Sequence, residues 1–179
     1  MKNSLKFIFG LVTFFFVGCS SEQSLQEYFI DNKENPNFIA IDIPASILKI
    51  DEAALTDKQK KAMASLKKLN LLAFNKTETN TTEYTLEKAA IKEILKNDDF
   101  IELMKFNSKY GKGVIKYLGD DDAIDEVIIY GDRQEQGFVL VRVLGNDMNP
   151  ADAISLVNAM EKSKYNGEGL EEIAKLLKK

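Results

Sequence analysis

The chain has 179 residues, 24 basic against 28 acidic, a formal net charge of −4, no histidine and a single cysteine. Catalytic triads that use imidazole as base are therefore excluded, an internal disulfide is excluded, and the acidic balance gives no electrostatic reason to bind nucleic acid. The length suits one domain with a real hydrophobic core and is too short for two.

The first element is a leader. Lys2 and Lys6 give a positive start, and Phe7 to Val17 is apolar apart from Gly10 and Thr13, the layout of a signal peptide. As a helix this run reaches only about 16 Å at 1.5 Å per residue, against a bilayer core of roughly 30 Å, so it is expected to be removed rather than to span. Val17-Gly18-Cys19 resembles the end of the bacterial lipoprotein signal. That resemblance implies cleavage of residues 1–18, acylation of Cys19 with three chains, and a protein that is membrane-attached but otherwise soluble. Under the same resemblance, Ser20 and Ser21 stand where an inner-membrane retention signal would carry aspartate, which favours the outer membrane, and Glu22 alone, without the acidic run of surface-exported lipoproteins, favours its periplasmic face. Residues 19–37 are expected to form the lipidated N-terminus and tether, ending in a docked helical turn with Leu25, Tyr28 and Phe29 on one side. Residues 38–179 are expected to form a single domain.

Asn35-Pro36-Asn37 breaks the chain before Phe38 to Ile43, whose β-branched residues mark a first strand. Thr56 and Gln59 have the spacing of a capping box, and Ala62, Met63, Leu66 and Leu69 recur at helical intervals. This predicts a helix running to Asn70, with Lys60, Lys61, Lys67 and Lys68 on its wet side, and then a second strand over Leu71 to Phe74. Strand, helix and strand in that order predict a parallel crossover. Leu86, Ala89, Ala90, Ile94 and Leu95 give a second amphipathic helix. Four β-rich runs follow, Phe100 to Asn107, Val114 to Leu118, Ile124 to Tyr130 and Phe138 to Leu144, with separators short enough to force antiparallel neighbours. Asn149-Pro150 opens a last helix bearing Ile154, Val157 and Met160, and Gly167 to Gly169 precedes a lysine-ended tail helix. The order β-α-β-α-β-β-β-β-α predicts an α+β domain with helices packed on a mixed, largely antiparallel sheet.

Leu66-Lys67-Lys68-Leu69-Asn70-Leu71-Leu72-Ala73-Phe74, Ile101 to Phe106 before Val114 to Leu118, and Phe138 to Gly145 before Asp147 and Asn149 resemble the bacterial family called domain of unknown function 4252. The resemblance spans about Phe38 to Lys162. It implies an exported, often lipidated protein without an established activity, and it hints at envelope signalling.

Chemistry is left to carboxylates, lysines, hydroxyls and oxygen-ligated cations. Asp120, Asp121, Asp122, Asp125 and Glu126 are the densest acidic cluster, but their consecutive spacing lacks the alternation of a calcium loop, so a solvated hairpin turn is expected, with a weak divalent-ion site as the alternative. Gly111-Lys112-Gly113 and Gly167-Glu168-Gly169 read as turn glycines, and Asn75-Lys76-Thr77 and Asn80-Thr81-Thr82 as loop composition. Arg142 interrupts an otherwise apolar strand and calls for a carboxylate or a ligand oxygen. No catalytic residue, cofactor or metal ligand is assigned; the one modified residue is Cys19. The sequence therefore points to a non-catalytic, lipid-tethered module with an envelope protein partner. A carboxylate- or cation-dependent enzyme and a carrier with a cavity lined by Phe138 and Leu140 are the alternatives.

Overall fold

The computed structural model describes residues 23–47, 55–108, 111–120, 123–149 and 151. The leader, Cys19, Asp121, Asp122, the final helices with Ile154, Val157 and Met160, and Gly167 to Gly169 lie outside the described residues.

The β-rich runs become six strands: β1 (Phe38–Pro44), β2 (Leu66–Asn75), β3 (Ile101–Ser108), β4 (Gly111–Asp120), β5 (Ala123–Asp132) and β6 (Gly137–Met148). They form one sheet in the order β1-β2-β6-β5-β4-β3, and every neighbouring pair is antiparallel. Among the described residues three α-helices accompany it, α1 (Leu25–Asn32), α2 (Asp57–Ser65) and α3 (Thr81–Ile94). The domain is α+β, as its pattern of elements indicates.

Two expectations are corrected. The helix capped by Thr56 does form, with Thr56 and Gln59 bonded reciprocally, but it stops at Ser65. Leu66 to Asn75 joins the sheet because it has a partner on each side, β1 and β6, and those two ladders outweigh the helical spacing of Leu66 and Leu69. Lys67 and Lys68 therefore lie on a strand, apart from the helical Lys60 and Lys61. The parallel crossover is also absent: Phe38 faces Phe74 and Pro44 faces Lys68, so α2 is an excursion at one end of a hairpin. A right-handed crossover would have to travel back along the whole strand, and the chain between β1 and β2 instead returns where it left.

The docked turn ahead of β1 is a full eight-residue helix, α1. Ser24 caps it, accepting from the Glu27 N–H while the Glu27 carboxylate accepts from the Ser24 N–H. Its Leu25 and Tyr28 are buried in the main core.

One sheet face carries Phe38, Leu72, Phe74, Phe138, Leu140, Ile128 and Tyr130, covered by α1 and α3 through Leu25, Tyr28, Tyr84, Ile91 and Leu95. Its centre is aromatic: the Phe38 and Phe74 rings meet edge-on at 5.0 Å, and Phe74 stacks on Phe138 at 5.5 Å. The opposite face holds a second cluster around Tyr117, Ile124, Val127 and Met148. Met148 reaches it because β6 loops out between Leu144, opposite Glu126, and Met148, opposite Ile124, with Asp147 at φ 47°. Gly113, read as a turn glycine, lies inside β4, where a Cβ would collide with the Tyr130 carbonyl and the Phe106 ring. Among the described residues no helix is long and apolar enough to cross a membrane.

Candidate functional site: a buried ion pair between two clefts

Alternation along β6 puts Phe138, Leu140 and Arg142 on the helix-covered face, and alternation along β5 puts Glu126 there with Ile128 and Tyr130. Arg142 sits opposite Ile128, and Glu126 opposite Leu144, so the two charges are diagonal neighbours across adjacent strands. Arg142 Nε donates to Glu126 Oε1 at 2.5 Å and Nη2 to Oε2 at 2.8 Å, a two-pronged pair. Arg142 is 8% exposed and Glu126 6%. Phe29 of α1 lies over the guanidinium, 5.3 Å from ring centre to Cζ.

Helix α1 crosses this pair and leaves a cleft on either side. The larger, about 530 Å³, runs between α1 and α3, walled by Leu25, Ala90, Ile94, Phe100 and Leu118 with Glu126 and Arg142 beneath; Gln23 and Ser24 stand at its edge. The smaller, about 230 Å³, lies between α1 and the β1–β2 end of the sheet, where Asn70 donates to Asp42. Arg142 borders both. A guanidinium has five N–H donors; Glu126 takes two, and Nη1 has no partner among the described residues. The arrangement can therefore present a hydrogen-bond donor to a carbonyl or carboxylate entering either cleft. The Glu126 carboxylate, by contrast, is held by two donors and is poorly placed to act as a base.

A second polar cluster lies at the other end of the same face. Tyr84 Oη donates to Asp132 Oδ1 at 2.6 Å, Lys88 pairs with Oδ2, and the Gln134 N–H adds 2.9 Å. Burial alone would raise the Asp132 carboxyl, but these donors outweigh it and hold the group below its ordinary value. Nearby, burial foremost and then the charge of Asp132 push the Tyr130 phenol up, and its hydroxyl has no partner among the described residues. Because the Asp132 pKa is lowered on folding, the contribution of this group is complete above its unfolded value, near 3.9, and disappears as pH falls through the folded value. Chemical denaturation between pH 7 and pH 2 should show Asp132→Asn with lower stability at pH 7 and a shallower loss on acidification than the parent. Equal acid slopes would contradict the assignment.

The residues singled out in the sequence are distributed unevenly around these features. Arg142 has the internal carboxylate it called for. Glu126, grouped by sequence with the acidic turn, points into the domain instead, whereas Asp125 is exposed and Asp120 ends β4. Among the described residues no three acidic or thiol side chains converge as metal ligands. Phe138 and Leu140, expected to line a carrier's cavity, are close-packed among aromatic rings and border neither cleft. Asn80 is buried and donates to Asn37 Oδ1 and the Asn75 carbonyl, tying the start of α3 to the sheet.

The fold and site define an all-antiparallel sheet domain with two helices on one face and an arginine–glutamate pair beneath them. Residues 28–156 match the family model described as Domain of unknown function (DUF4252), and the chain belongs to that family. No curated protein and no solved structure matches it.

Proposed function

We propose that the protein is a lipid-anchored component of the bacterial cell envelope that acts by binding an envelope protein at the α1–α3 cleft. The observation that carries this reading is the buried Arg142 guanidinium, neutralised by Glu126 yet bordering open clefts, with one terminal nitrogen that has no partner among the described residues. Such a group supplies directional recognition of a carbonyl or carboxylate without an uncompensated charge. A catalytic reading draws less support: the buried carboxylates Glu126 and Asp132 are both engaged by cationic side chains.

The tether adds a constraint. From Cys19 to Ser24 a fully stretched chain reaches about 17 Å. With Cys19 acylated, the N-terminus of α1 and the edge of the larger cleft beside it stay close to the membrane surface, on the periplasmic side of the outer membrane. The partner is then a protein of that membrane or one docked against it.

A photo-crosslinking side chain at Asn97, on the wall of the larger cleft, tests this in intact envelopes. The expected result is an adduct of one discrete mass that falls at least tenfold when Arg142→Lys is added, since the compact ammonium lacks the planar fork that grips both Glu126 oxygens while holding another nitrogen toward the cleft. An adduct that ignores Arg142→Lys, or none, would count against binding at this cleft.

A further inference from the structure

The sheet ends on one side at β3, whose outer N–H and C=O groups have no strand beside them among the described residues. Unlike the opposite edge, β1, which closes on Pro44, β3 contains no proline, and it exposes two large apolar side chains, Ile101 at 42% and Met104 at 45%. We propose that β3 pairs with β3 of a second copy of this chain, antiparallel, about a twofold axis between Leu103 and Met104, making one continuous sheet across two molecules.

A twofold pairing of a strand with itself demands a palindrome. Residue 101 must meet 106, 102 must meet 105 and 103 must meet 104, and partners must point to the same face of the sheet. A regularly alternating strand fails in this register, because residues three apart lie on opposite faces. The bulge in β3 changes that. The pairing with β4 shifts between Glu102, opposite Lys116, and Met104, opposite Ile115, leaving Leu103 as the extra residue. Ile101, Met104 and Phe106 stand opposite Tyr117, Ile115 and Gly113, on the face away from α1 and α3, and Leu103 packs into the same cluster as Tyr117 and Ile115. Glu102 and Lys105 stand opposite Lys116 and Val114, on the helix-covered face, where Val114 joins the main core and Lys116 donates to the Leu95 and Phe100 carbonyls. From 101 to 106 the faces therefore read the same in both directions.

The chemistry is a palindrome as well. Ile101 meets Phe106 of the second copy, Leu103 meets Met104, and Glu102 meets Lys105, each contact occurring twice. Glu102 and Lys105 already attract within one chain, at 2.8 Å on the exposed edge, and can exchange partners across the axis. Bulges and lysines usually guard an edge strand against such pairing. Here the bulge supplies the register and the lysine has a carboxylate to meet, so the same features favour this one partner over others.

The full chain, in its native membrane, carries either Glu102→Cys or Lys105→Cys, each variant with its own tag. Co-expression of the two is expected to give a disulfide-linked species of both tags, at least fivefold above either variant alone or the parent chain. Adding Met104→Lys to both should abolish it, because two lysines then flank the axis, while the circular dichroism spectrum of this exposed-site variant stays that of the parent and shows that the fold is intact. No enrichment on co-expression, equal linkage by the single variants, or linkage to a different protein would overturn the proposal. Arg142→Lys leaves the linkage intact, which separates failure here from failure of binding at the cleft.

Discussion

Arg142→Ala is expected to destabilise the domain by about 3–5 kcal/mol, because it leaves the Glu126 carboxylate buried without its counter-charge. For a domain of this size that is a fall in melting temperature of roughly 10 °C. The packing contribution is also lost, since Phe29 rests on the guanidinium. A paired substitution separates the two effects. Arg142→Met with Glu126→Leu removes both charges, keeps apolar bulk, and is expected to lie within about 1 kcal/mol of the parent or above it. Thermal and denaturant unfolding of the parent, Arg142→Met, Glu126→Leu and the double variant give the coupling directly. If the single variant and the double variant fall equally, the pair contributes shape alone and its charges are not coupled. The double variant should nevertheless lose the Asn97 crosslink, since recognition at the cleft and stability of the fold use the same arginine for different reasons.

On the proposed anchoring, Cys19→Ser, carried behind an ordinary secretory leader in place of residues 1–18 so that cleavage does not depend on the cysteine, is expected to move the protein entirely from the membrane fraction to the soluble fraction. Three acyl chains at about 0.8 kcal/mol per buried CH₂ give attachment that washing does not reverse, and serine cannot receive them. Among the described residues no helix offers a second means of spanning the bilayer. Fractionation after osmotic shock and carbonate washing checks the shift. The fold itself should be unaffected, because the core is built from Leu25 onward, so the released protein keeps the melting temperature of the parent.

The strands were legible where β-branched and aromatic residues are dense. Phe38 to Ile43 and Phe138 to Leu144 are strands within a residue or a few at each end. The start of α2 was legible as well, because Thr56 and Gln59 act locally. Its end was not. Leu66-Lys67-Lys68-Leu69 satisfies a helical interval of three as readily as it fits a strand, and only pairing with β1 and β6 decides, through residues far away in the chain. Glu126 illustrates the same limit. Its neighbours Asp120 to Asp125 suggest a wet turn, yet it shares a period of two with Ile128 and Tyr130, and that alternation was the available signal. Recognising Arg142 as its partner required the diagonal register of β5 and β6, which no local pattern contains. The two clefts were likewise out of reach, since they exist only because α1 crosses the sheet over Arg142.

Intact-mass spectrometry of the protein extracted from its own membranes is the most direct test of the anchored reading. The expected species begins at Cys19 and carries the added mass of a diacylglyceryl group and an N-terminal acyl chain, removed together by cleavage ahead of Ser24. A chain with an unmodified sulfur at Cys19, or one that retains residues 1–18, would contradict it.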